Sequence, residues 1–188
     1  MKTLLRRRPI WALAAAFSLA CVPPTAAQPA PATADQVKAA YLHKFAGYVD
    51  WPDKAFRDPA APFVIGVVGA RDVLAELTRL VAGRSLLGRP IEVRRLPAAG
   101  PANDVQVVFV GADVGVEATA AILAAYRGRP VITVTDTPRG LDAGAVLNFV
   151  ERDRRIRFEA APSIAELGGL RLSSRLLAVA EHVVGSGP

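Results

Sequence analysis

Cysteine is almost missing from this 188-residue chain, and the single one, Cys21, lies near the start. One cysteine closes no disulfide within the chain, and a position inside an export signal would remove it from the finished protein. Disulfide stabilisation, thiol redox sensing and cysteine catalysis are then excluded together. Histidine occurs only twice, at His43 and His182. Neither stands four residues from a second strong ligand, so the helical zinc pair has no candidate. A phosphate-binding Walker loop and a Gly-x-Ser-x-Gly elbow are also missing, and nothing in the sequence calls for a cofactor.

Positive charge looks plentiful at first, with a formal net charge of +6. Its placement changes that reading. Lys2, Arg6, Arg7 and Arg8 precede an apolar run from Ile10 to Val22, which is too short to span a bilayer comfortably. Small residues at Thr25-Ala26-Ala27 follow, so residues 1–27 read as a signal peptide cut after Ala27. Ser18-Leu19-Ala20-Cys21 is a rival lipoprotein site, with Cys21 as the lipidation point. Four of the 23 basic residues lie in the signal and all 17 acidic ones follow it, leaving about +2 on the exported chain. Nucleic-acid binding, which needs a concentrated basic surface, has no support.

Residues 28–33 form a short Pro/Ala tether, and 34–188 are long enough for one domain with a real core. Thr33 and Gln36 have capping-box spacing, and Val37, Tyr41, Phe45 and Tyr48 recur at helical intervals behind them. A helix from about Ala34 to Tyr48 follows, ended before Pro52. Phe63–Val68, Ile91–Leu96, Val105–Val110 and Val131–Thr135 read as strands. Helical stripes separate several of them, one through Val73, Leu77 and Val81, the next leading from Asp113 to Tyr126. This alternation predicts parallel crossover units. Later, Ala145–Val150 and Arg155–Ala160 read as a hairpin turning at 151–154, before a short helix from Ser163, a brief strand at 170–172 and a closing helix from Arg175 to Val184. The expected fold is α/β: a single-domain mixed, largely parallel sheet with helices on both faces.

Candidate chemistry is sparse. Gly66-Val67-Val68-Gly69 lacks the third glycine of a dinucleotide fingerprint and reads better as a tight strand-to-helix turn. Asp113 and Asp136 fall after strands, on the sheet edge where ligands bind in open α/β folds. They could hold a ligand there or act as an acid/base pair. A cap at Asp113 and a turn at Asp136 are the simpler explanation of both. Arg152, Arg154, Arg155 and Arg157 form the densest basic stretch, with Glu151, Asp153 and Glu159 interleaved. A solvated hairpin accounts for it, and contact with an acidic partner is the sharper alternative. Tyr48, Trp51 and Phe56 cluster around Pro52, as core packing or as an interface anchor.

Two stretches resemble a known family. Residues 38–52, from Lys38-Ala39 through Lys44-Phe45 to Trp51-Pro52, are similar to the opening signature of the YfiR/HmsC-like family. Gly144–Phe149, Ile156-Arg157-Phe158 and the run Gly169–Leu177 are similar to its closing pattern, and Val131–Asp136 matches a strand between them. The resemblance implies a periplasmic, non-catalytic repressor that tends to dimerise. Such a protein binds the periplasmic sensor domain of an inner-membrane diguanylate cyclase and lowers cyclic di-GMP and biofilm formation. An outer-membrane lipoprotein draws it away. The family's cysteines have no counterpart in the exported chain, so their redox control does not carry over. Ala143-Gly144 replaces a double glycine, and Glu159-Ala160 stands where an asparagine is common. Tyr48 and Trp51, with Arg154 and Arg155, are the residues expected to meet the partner. A small-ligand receptor using Asp113 and Asp136 is the alternative, and a hydrolase on those carboxylates would lack a nucleophile beside a base.

Overall fold

The computed structural model describes residues 31–185. The signal peptide, the cut after Ala27 and the Cys21 site lie outside the described residues, as do residues 28–30 of the tether. Thr33 caps the first helix, α1 (Ala34–Phe45), through a complete capping box with Gln36. The expected last turn tightens into a 3₁₀ segment at Ala46–Tyr48. A short strand, β1 (Val49–Asp50), follows. Next come β2 (Phe63–Val68), α2 (Arg71–Val81), β3 (Ser85–Leu86) and β4 (Arg89–Arg95). The middle of the chain supplies β5 (Val107–Val110), α3 (Val116–Tyr126) and β6 (Ile132–Thr135). The remainder is β7 (Leu147–Arg152), β8 (Arg155–Ala160), α4 (Pro162–Leu167), β9 (Arg171–Leu172), α5 (Ser174–Leu177) and β10 (His182–Val183).

Eight strands form the main sheet in the order β10-β8-β7-β6-β5-β2-β4-β3. The four central pairings, from β4 across to β7, are parallel, while β7–β8 and β3–β4 are hairpins. The expected mixed, largely parallel sheet is present, joined by a separate antiparallel pair of β1 and β9. Both edge strands of the main sheet are two residues long.

Alternation along the strands builds two cores. Phe63, Ile65 and Val67 with Phe109, Ile132 and Val134 face α1 and α2. Val64, Val68, Val108 and Val110 face Ile122 and Tyr126 of α3. On the first face Phe45 is fully buried among aromatics, 4.9 Å from the Phe158 ring and 5.7 Å from Phe149, with Tyr41 stacked at 5.5 Å. Among the described residues no helix is long and apolar enough to cross a membrane.

The last element departs from expectation. Only Ser174–Leu177 is helical, and the chain then extends so that Glu181 and Val184 donate their amides to the Phe158 and Ala160 carbonyls. The apolar spacing after Leu177 suits a helix. The open edge of β8 offers unpaired backbone groups, and joining it satisfies them. His182 therefore lies on a strand rather than a helix.

Candidate functional site

Two surface regions carry the candidate residues. The first is the carboxyl edge of the sheet. From β2 the chain runs out to β4, then crosses back to β5 on the other side of β2, so the strand order reverses between β2 and β5. A cleft of about 470 Å³ opens there, bounded by Ala70 and Arg71 at the start of α2, by Gly111 and Asp113 after β5, and by Asp136 after β6. This is the crevice where open α/β sheets bind ligands.

Its two predicted carboxylates are engaged internally. Asp113 does not cap α3 as expected. It sits in a 3₁₀ turn at Ala112–Val114, separated from α3 by Gly115, and its carboxylate accepts the Ala70 amide at 2.9 and 3.1 Å. The approach is close: a Cβ on Gly69 or Gly111 would collide with the Asp113 carboxylate, and Gly69 also has φ +68°. The glycine at the end of the apolar run is thus a packing requirement rather than half of a nucleotide fingerprint. Asp136 takes the ammonium of Lys38 at 2.6 Å on one oxygen and the Ala112 amide at 2.7 Å on the other. Both partners of the ion pair are largely covered. The edge carboxylates therefore tie three loops and α1 together. Among the described residues, the other charged side chains lining the cleft are Asp35, Arg71 and Asp72. No cluster of three metal-ligating side chains occurs among the described residues.

The second region lies between α1, β8 and α5, on the opposite side of α1's packing seam with α2. Trp51, expected as anchor or core, is half-buried: its indole N–H donates to the Ala46 carbonyl at 3.0 Å and its ring meets Phe63 edge-on at 5.3 Å. From Tyr48 the carbonyl accepts the Ser173 amide at 2.9 Å. Those two bonds pin the turn after α1, and the Tyr48 side chain projects from it 42 % exposed. Below Tyr48 a groove of about 410 Å³ has Tyr41, Phe45, Phe158 and Leu176 as its floor. Lys44, Arg157 and Arg175 stand on its rim, each exposed, and Val179 closes the far lip at 64 % exposure.

Arg154 and Arg155 sit at the tip of the β7–β8 hairpin, outside that groove. The two-residue turn is Asp153-Arg154, both at positive φ (49° and 58°), so Arg154 occupies a position that favours glycine. Arg152 pairs directly across from Arg155, an unfavourable like-charge neighbour. Sequence reasoning had grouped all four arginines of this stretch. The strand pleat and register separate Arg157 from the tip and hand it to the groove. Nothing in sequence marks Lys44, Arg175 and Val179 as contact residues, because only the packing of β8 with α1 and α5 brings them beside Tyr48.

His43, on the α1 face towards α2, is half-buried with Nδ1 enclosed and unpaired. Burial holds its pKa below 6.5, and the nearby Arg84 and Lys44 cations push the same way.

No curated protein matches the chain at a significant level. A family model described as YfiR/HmsC-like matches residues 35–181, nearly the whole described fold, and includes α1, the pinned turn, the hairpin and α5. The chain belongs to the YfiR/HmsC-like family.

Proposed function

We propose that this protein is a periplasmic, non-catalytic regulator that binds the periplasmic sensor domain of an inner-membrane diguanylate cyclase. Binding holds the cyclase inactive and lowers cyclic di-GMP and biofilm formation. The family match over residues 35–181 carries the reading. Contact alone suffices for such control, provided the regulator binds one state of its partner more tightly than the other. The contact surface is centred on Tyr48, whose backbone is fixed on both sides while the residue stays exposed. Trp51 supports that surface from beneath, and Arg154 and Arg155 extend it along the hairpin. A rigid aromatic presented this way loses little conformational freedom on binding. Release by an outer-membrane lipoprotein and assembly as a homodimer belong to the same reading.

Isothermal titration of the exported protein against the periplasmic domain of the membrane diguanylate cyclase encoded nearest to its gene tests it. Micromolar or tighter binding, about 8 kcal/mol, is the expected result, weakened by Tyr48→Ala. Absence of heat at several temperatures, with both proteins folded, would remove that partner.

The cleft at the strand-order reversal favours a second reading, a small-ligand receptor with Asp113 and Asp136 on its wall. A thermal-shift screen of metabolites separates the two, since a ligand bound to the native state raises Tm.

A further inference from the structure

The groove beside Tyr48 has a composition that selects its occupant. Its floor is aromatic and aliphatic, and its rim carries three cations and no acid: Lys44, Arg157 and Arg175. None of the three is in an ion pair among the described residues, where the four pairs are Lys38–Asp136, Arg57–Asp58, Arg79–Glu76 and Arg94–Glu92. The cations come from three elements, α1, β8 and α5, so they ring the groove rather than line one strand of charge. Volume matters as well. About 410 Å³ falls within the range of pockets that enclose a compact ligand or a bulky side chain.

We infer that this groove docks an acidic peptide segment of a protein partner, with one bulky apolar side chain seated on Tyr41, Phe45, Phe158 and Leu176 and flanking carboxylates on Lys44, Arg157 and Arg175. The inference rests on the proposed contact function and adds the chemistry of the partner's side. An apolar anchor in a desolvated pocket supplies most of the affinity of such contacts. A ring of opposite charge sets register and speeds encounter. Tyr48 and Val179, exposed at the two lips, would close over the anchor's flanks.

Two probes separate this inference from the reading beneath it. The first is a blocked pentapeptide, Glu-Asp-Phe-Glu-Asp, titrated into the full exported protein by NMR beside a Gln-Asn-Phe-Gln-Asn control. The acidic peptide is expected to shift amides of α1, β8 and α5 and to bind at least fivefold more tightly than the neutral one. The Arg157→Glu/Arg175→Glu double variant should abolish that preference, and Arg127→Glu, beyond the far helix α3, should leave it intact. Equal binding of both peptides, or shifts confined to other surfaces, overturns the inference. The second probe is the cyclase domain named above. Loss of about tenfold in affinity in the double variant is expected. If the cyclase domain binds wild type and the double variant alike, the groove assignment falls while the regulatory reading stands. If it binds neither while the acidic peptide behaves as expected, the groove stands and that partner falls. If wild type self-associates and the double variant is monomeric by sedimentation, the occupant is a second copy, and the inference is overturned.

Discussion

The carboxyl edge of the sheet and the groove beside Tyr48 are both lined by charged side chains and use them differently. At the edge, Asp113 and Asp136 are drawn into short bonds with Ala70, Ala112 and Lys38, so their charge stabilises loops. At the groove, Lys44, Arg157 and Arg175 contact solvent, with no pairing that the fold depends on. A residue at a position favoured for ligand binding is not thereby available to a ligand. What distinguishes a binding surface is charge that the folded chain has left unspent.

Mutations should sort along that line. The groove's floor belongs to the core, so Phe45→Ala is expected to cost about 3–5 kcal/mol, read by urea unfolding. Asp136→Ala should come next, at about 2 kcal/mol, because it strands the covered Lys38 ammonium and the Ala112 amide. A near-neutral result there would erase the contrast between the two regions. His43 should contribute a smaller, pH-dependent effect. Its folded pKa lies below the ordinary 6.5, so the unfolded chain binds the proton more readily. That contribution is complete above about pH 6.5 and is lost as pH falls towards the folded value. Urea midpoints at pH 7.5 and 5.5 should converge in His43→Gln relative to wild type. The smallest change belongs to Arg157→Glu and Arg175→Glu, each within about 0.5 kcal/mol in stability. A large loss in either would show that the rim cations serve the fold after all.

Local chemistry made much of the fold legible. The Thr33–Gln36 box marks the start of α1, and the uninterrupted apolar runs of β2 and β5 show strands covered on both faces. Legibility failed where non-local pairing decides. After Leu177 the same side chains suit a helix or a strand, and only the bare edge of β8 settles the matter. The sites follow the same rule. Asp136 and Lys38 meet across 98 residues of chain, and the rim of the groove gathers positions 44, 157 and 175. Spacing in sequence carries no trace of either. The Tyr48 and Trp51 cluster was visible because a single turn holds it together.

The brevity of β3 and β10 has a consequence for how this protein behaves in a crowd. An eight-stranded sheet with long bare margins would be a template on which further copies could stack edge to edge. Here one margin is a two-residue hairpin arm, and the other covers only the end of β8, leaving arginines 155 and 157 along the remainder. A second molecule approaching that margin in strand register would have to bring its backbone alongside a row of like charge. At the β8 margin, polymerisation through the sheet is discouraged by the same hairpin that lends Arg157 to the groove.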